Sequence, residues 1–263
     1  VAVYFSSRLA ADALIQKSFD GLTTIQSIRK GNIEDFFNER LADISVLADS
    51  ERVTELIQRL NQYERGADTQ PTGSLNVQSH EYTQLTESYT PHFEDYVEAY
   101  GYSDLYILDA DHGHVMFSLS DTNILGTNLT NGIYRRSGLA DAWRKVTSSG
   151  KVAFIDFLPY GPLAGSETSF IAQPLSDQHG KMSGVLVLQL SPELITRIVD
   201  SRIGMGQTGE SYLIGVNKQD GSYEFRSNME TMGNGRHVVG YSVDPPLDYW
   251  HKAVETGVGG GFD

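Results

Sequence analysis

One pattern recurs in the chain and limits what it can fold into. A short apolar or aromatic run meets a polar turn closed by glycine, and a similar run returns. Leu105-Tyr-Ile-Leu108 enters Asp109-Ala-Asp-His-Gly113 and comes back through Val115-Met-Phe-Ser118. A second version runs through 170–175, Ser176-Asp-Gln-His-Gly180 and 184–190. A third is Tyr212-Leu-Ile-Gly215, Asn217-Lys-Gln-Asp-Gly221 and Tyr223-Glu-Phe-Arg-Ser227. Antiparallel strands joined by tight turns are the economical solution. Acids and amides open such turns, and glycine supplies the positive φ near their end.

Helical patterns surround the hairpins. Over 8–60, apolar residues fall at Ile15, Phe19, Leu22, Ile25, Ile33, Phe37, Leu41, Ile44 and Ala48, in the steps that line one stripe of a helix. Gly21 and Gly31 weaken the run, and Asn32 with Asp35 offers a restart. A stripe this long needs a domain or a second copy to cover it. A parallel homodimer through this helix is therefore expected. Residues 64–81 read as a loop. Short helices are predicted from Pro91 to Tyr100, from Gly138 to Ser148 before Gly150, and from Pro192 to about Arg202. Residues 152–157 read as a strand, and 247–256 as a last helix.

The predicted architecture is α+β. A stalk and dimerisation helix occupies 1–62. An antiparallel-sheet lobe follows at 63–203, and a partial second lobe at 204–263. The first lobe has three strands after its helix and the second has none, so the chain is expected to stop inside a second module. Val1 to Phe5 reads equally as the tail of a membrane segment or as a cut terminus.

The composition excludes several functions. A net charge of -14 gives no basic footprint for nucleic acid. The absence of cysteine removes disulfides, thiolate zinc sites and a thiol nucleophile. Gly204-Met-Gly-Gln-Thr-Gly209 matches GxGxxG, but it follows a helix and precedes a strand, the reverse of a dinucleotide site. His112 and His114 flank Gly113 beside Asp109 and Asp111, and a solvated turn is the expected reading, with no metal. Gly-x-Ser-x-Gly is absent, and no acidic pair is placed across a cleft. Neither catalytic residues nor a cofactor are predicted. Asn128-Leu-Thr130 fits a glycosylation acceptor by chance.

The order of these motifs resembles the double Cache sensor, a PAS-like extracellular module of chemoreceptors, sensor histidine kinases and membrane cyclases. Ile33-Glu-Asp-Phe-Phe37 and Asp43-Ile-Ser-Val-Leu-Ala48 are similar to its stalk helix. Gly126-Thr-Asn-Leu129, Asp156-Phe-Leu-Pro-Tyr160 and Gly184-Val-Leu-Val-Leu188 are similar to its first lobe. Gly206-Gln-Thr-Gly-Glu-Ser-Tyr-Leu213 resembles the opening of its second. The resemblance implies a receptor anchored in the inner membrane, with this part on the periplasmic or extracellular side. It also implies a small-molecule pocket in the membrane-distal first lobe. Amino-acid-binding members carry Arg-x-Trp-Tyr and a late Asp in the sheet. This chain departs from both, with Tyr134-Arg-Arg136, a lone Trp143, and Gln189 where that Asp would stand.

The candidate ligand-binding residues are Tyr106, Phe117, Ser118, Arg135, Trp143, Asp156, Tyr160 and Gln173, aromatic walls with a few polar groups. Asp156 interrupts the apolar strand Val152-Ala-Phe-Ile-Asp-Phe157. It either accepts from a ligand or caps the backbone at the strand end. The aromatic residues also suit an ordinary core. The functional expectation is a sensor and not an enzyme. A free extracellular solute-binding protein is the alternative, which a long stalk helix argues against.

Overall fold

The computed structural model describes residues 2–67, 69–120, 122–202, 205, 209–217, 220–229 and 237–243, with side chains from residue 8 onward. Two compact units divide it. One is Asn38–Leu194; the other joins Val1–Phe37 to Ile195–Asp263.

Helix α1 runs Ala2–Ala48 without interruption, through both glycines. A glycine costs a helix about 1 kcal/mol, too little to break one this long. The break falls instead at Asp49–Ser50. The Ser50 hydroxyl accepts from the Val53 N–H at 3.4 Å and starts α2, Glu51–Gly66. Such a cap is worth about 1 kcal/mol. Val53, Leu56, Ile57, Leu60 and Tyr63 form the buried stripe of α2. Two further helices follow, α3 (His80–Glu87) and α4 (Thr90–Tyr100). The region expected to be a loop thus shrinks at both ends, because α2 continues to Gly66 and α3 begins at His80.

The unit 38–194 holds a five-stranded sheet in the order β2-β1-β5-β4-β3, antiparallel throughout. Its strands are β1 (Asp104–Asp109), β2 (Val115–Ser118), β3 (Ala153–Tyr160), β4 (Ser166–Ser176) and β5 (Met182–Leu190). Helix α5, Gly138–Ser149, lies between β2 and β3 in sequence. With the long N-terminal helix, this is the α+β, PAS-like arrangement expected.

The turns form for the reasons their residues suggest. Asp109 accepts the backbone N–H groups of Asp111, His112 and Gly113, and Gly113 has φ 74°. Asp177 does the same for His179 and Lys181, with Gly180 at φ 76°. Alternation along the strands then sorts side chains to two faces. One face buries Tyr106, Leu108, Phe170, Ala172, Val185 and Val187 with Leu139, Ala140 and Val146 of α5. Fully burying one such leucine, valine or phenylalanine stabilises by about 1.5–3 kcal/mol.

In the other unit, a hairpin pairs β6 (Ile214–Val216) with β7 (Tyr223–Phe225). Helix α6, Pro192–Val199, precedes it and ends short of Arg202. The Arg29 guanidinium of α1 donates to the carbonyls of Ile198, at 2.8 Å, and Ser201. Glu224 and Arg226 form a buried ion pair at 2.9 Å, and Asn217 donates to the same carboxylate. The expected helix at 247–256 and most of the GxGxxG motif lie outside the described residues.

Candidate functional site

Two groups of side chains in the sheet unit carry chemistry. The first sits on the face covered by α5. Ser137 caps that helix by accepting from the Ala140 N–H at 3.2 Å. Gly138 lets its first turn approach the sheet, since a Cβ there would stand 2.9 Å from the Phe170 ring. Beneath it, the Tyr106 and Tyr160 rings meet Phe170 edge-on, with centroids 6.3 and 5.2 Å away. The Tyr106 hydroxyl donates to Gln189 Oε1 at 2.6 Å.

Asp104 lies opposite Gln189 in the register and continues the polar group. Its carboxylate accepts from the N–H groups of Leu105, Leu119 and Ser120 and from the Ser118 hydroxyl, at 2.7–3.3 Å. Asp104 is 2% exposed, and burial pushes its carboxyl above the ordinary range while these donors pull it partly back. Asp104, Tyr106, Ser118 and Gln189 therefore form a buried polar cluster beside aromatic rings. That combination of apolar walls and convergent polar groups is what small-molecule sites use.

The predicted residues distribute unevenly around this cluster. Tyr106, Ser118 and Tyr160 lie on the α5 face. Trp143 packs against its core, and its indole N–H donates to the Asp109 carbonyl at 2.7 Å. Phe117 pairs in register with Ile107 and meets Phe93 of α4 edge-on at 5.8 Å, so it belongs to the reverse face. Gln173, opposite Leu186, faces the same way. Arg135 is exposed and donates to the Gly132 carbonyl at 3.3 Å. Asp156 lies where the β3–β4 register shifts and accepts the Phe157 N–H at 2.8 Å. Asp104 was not foreseen. Its one sequence signal is an acid at the head of an apolar strand, which also describes countless strand ends.

The second group gathers at the β1–β2 turn. His114 is fully buried and makes an isolated bridge with Asn128. Its Nδ1 lies 2.5 Å from Glu64 Oε1 on α2, and its Nε2 3.2 Å from the Gly73 carbonyl. Burial disfavours the imidazolium, but the Glu64 hydrogen bond and the charges of Glu64 and Asp109 outweigh it and hold His114 above its ordinary value. The turn is thus not the solvated one expected, because a carboxylate 50 residues away closes over His114. A cleft of about 390 Å³ opens beside it, with Asn61, Glu64, Asp109, His112 and Lys181 among its walls. Asn128 is 3% exposed and its amide donates to the Pro71 carbonyl, which removes it as a glycosylation acceptor.

No family model matches the chain, and no curated protein sequence matches it. Solved structures do. The sensor domain of Escherichia coli DcuS is 15% identical over 65% of this chain and 96% of that one, with a TM-score of 0.38. The ligand-binding domain of the Pseudomonas aeruginosa amino acid chemoreceptor PctB, in complex with L-Arg, is 16% identical over 84% and 74%, with a TM-score of 0.47. The sensor domain of the Vibrio cholerae histidine kinase DctB is 15% identical over 71% and 65%, with a TM-score of 0.37. These neighbours are sensor or ligand-binding domains, that of PctB from a chemoreceptor and that of DctB from a histidine kinase.

Proposed function

We propose that the chain is the extracytoplasmic, ligand-sensing part of a membrane-anchored signalling receptor, without enzymatic activity of its own. Its ligand is a small metabolite held in the first, membrane-distal lobe, against the α5 face. The observation that carries this reading is the buried Asp104–Tyr106–Ser118–Gln189 cluster among aromatic rings. Polar groups are costly in a core unless they are satisfied, and a pocket that reads hydrogen bonds is a reason to keep them. Tyr160, Trp143 and Asp156 supply further walls and edges of the site. The output is a conformational shift, which requires different ligand affinities for the two states.

Helix α1 supports the receptor reading over a free solute carrier. Between residues 8 and 43 it has no buried residue, and Leu9, Leu14, Ile15, Leu22 and Ile28 are exposed. A carrier has no use for such a rod, whereas a receptor pairs it with a second copy and passes the ligand signal along it. A parallel homodimer through α1 is part of the proposal. No helix among the described residues is long and apolar enough to cross a membrane, so the anchor proposed is a segment outside them.

A thermal-shift screen against amino acids, amines, organic acids, purines and sugars tests the reading. A ligand at 100 times its Kd adds about 2.7 kcal/mol to stability. A hit that Tyr160→Ala abolishes supports the first-lobe site. A hit unchanged in Tyr160→Ala, Gln189→Leu and Asp156→Ala places the ligand elsewhere and overturns that site. For the dimer, sedimentation should give a mass that rises with concentration and returns to monomer in Leu14→Glu/Leu22→Glu. A monomer at every concentration rejects the pairing.

A further inference from the structure

We propose that Glu64, Asp109, His112 and His114 form a binding site for one divalent transition-metal ion of borderline softness, Zn²⁺ first among them. The site is separate from the ligand pocket proposed above, and neither depends on the other.

The geometry suits a single ion. The four side chains each offer one donor atom, and all four atoms lie within 4.8 Å of one another. His112 Nδ1 is 3.5 Å from Asp109 Oδ2, and His114 Nδ1 is 3.9 Å from the same oxygen. Tetrahedral zinc with bonds of about 2.0–2.1 Å sets neighbouring donors ~3.3 Å apart. Two separations are already close to that value. The third, 2.5 Å between His114 Nδ1 and Glu64 Oε1, has to open by under about 1 Å to admit an ion.

The surroundings are those of a prepared site. His114 turns Nε2 to the Gly73 carbonyl, the outer partner that leaves Nδ1 to face the cluster. Asp109 is held by three backbone N–H groups, one on Oδ1 and two on Oδ2, which leaves Oδ1 a lone pair for a cation. Glu64, Asp109 and His112 open onto the cleft, which gives an ion a way in, and the His112 side chain is 42% exposed.

The donor set selects the ion. Two imidazoles argue against Ca²⁺ and Mg²⁺, which take oxygen ligands. Without thiolate there is nothing to favour a soft ion over zinc or its neighbours. Two carboxylates balance the charge of a divalent cation. Since Glu64 belongs to α2 and the other three to the β1–β2 turn, an ion here ties helix to sheet.

The test uses the whole chain stripped with chelator and then titrated with ZnCl₂ by calorimetry and equilibrium dialysis. One ion per chain is expected, with a rise in the unfolding midpoint. His112→Ala and Glu64→Gln should each weaken binding at least about tenfold, as even outer-shell losses do, while His179→Ala leaves it intact. His112 is half exposed, so its variant tests the site without threatening the fold, which the metal-free unfolding midpoint verifies. Absence of stoichiometric zinc, binding unchanged in both ligand variants, or displacement of zinc by equimolar Ca²⁺ or Mg²⁺ would overturn the proposal.

Discussion

The Tyr102 hydroxyl donates to the Asp43 carboxylate across 3.2 Å, joining α1 to the chain that enters β1. Asp43 also pairs with Arg40 at 3.1 Å, and the Arg40 guanidinium lies 5.4 Å from the Tyr102 ring centroid. Burial pushes the Tyr102 phenol above its ordinary range, so it stays protonated as the donor. Within the sheet unit, this group anchors the last turns of α1.

Tyr102→Phe removes that hydrogen bond and keeps the ring. A bond to a charged acceptor at a largely buried site is worth about 1.5–3 kcal/mol. Urea unfolding should therefore lose about 1.5–3 kcal/mol with an unchanged m value. An unchanged midpoint would mean that Asp43 and Arg40 hold the helix without the hydroxyl.

Asp104 makes a pH prediction of definite sign. Its carboxyl is raised above its ordinary value, chiefly by burial, so folding favours the protonated form. The stability it contributes is complete below the unfolded pKa and is lost as pH rises through the folded one. Asp104→Asn cannot ionise. As pH rises through the ordinary carboxylate range, wild type should lose stability relative to this variant and then level off. A difference that stays constant across the range would show that the four donors fully compensate the burial.

Gly184 marks where α2 lies against β5. A Cβ there would stand 2.7 Å from Ile57 Cδ1 and 2.8 Å from the Leu108 carbonyl oxygen. The side chain can shift, but the carbonyl belongs to the β1–β5 ladder and cannot. Gly184→Ala should cost about 1–3 kcal/mol, the usual range for overpacking. Trimming the neighbour in Gly184→Ala/Ile57→Val should not restore stability, since the backbone contact remains. Full rescue would show that the ladder yields.

Much of the sheet was legible because its information is local. Asp109 and Gly113 specify their turn within five residues, and Asp177 with Gly180 repeats the logic. The cap and Gly150 bound α5 in the same way. Faces and distant partners were not legible. Tyr106 and Phe117 both look like pocket walls in the sequence, and only the register sends them to opposite sides of the sheet. His114 looked like a surface turn residue because nothing in 109–114 points to Glu64. Gly31 weakens the helical pattern without ending the helix, because propensity is a weak prior, while Ser50 ends it through a specific hydrogen bond. Asp104 was passed over for Asp156, since an acid inside an apolar run is conspicuous and one at its edge is not.

The Tyr106–Gln189 pair separates a pocket from a structural clasp. Both residues are buried, and their 2.6 Å hydrogen bond spans adjacent strands. Gln189→Leu takes from Tyr106 its amide partner and should cost about 1–3 kcal/mol. Tyr106→Phe/Gln189→Leu removes both ends and should recover part of that loss, because two matched apolar groups carry no desolvation penalty. A mere clasp predicts that the double variant keeps every ligand response the wild type shows. A pocket predicts a folded protein, close to wild type in denaturation, that no longer shifts with the ligand found in the screen. Retained binding in a stable double variant would move the site away from this cluster, and lost binding would fix it there.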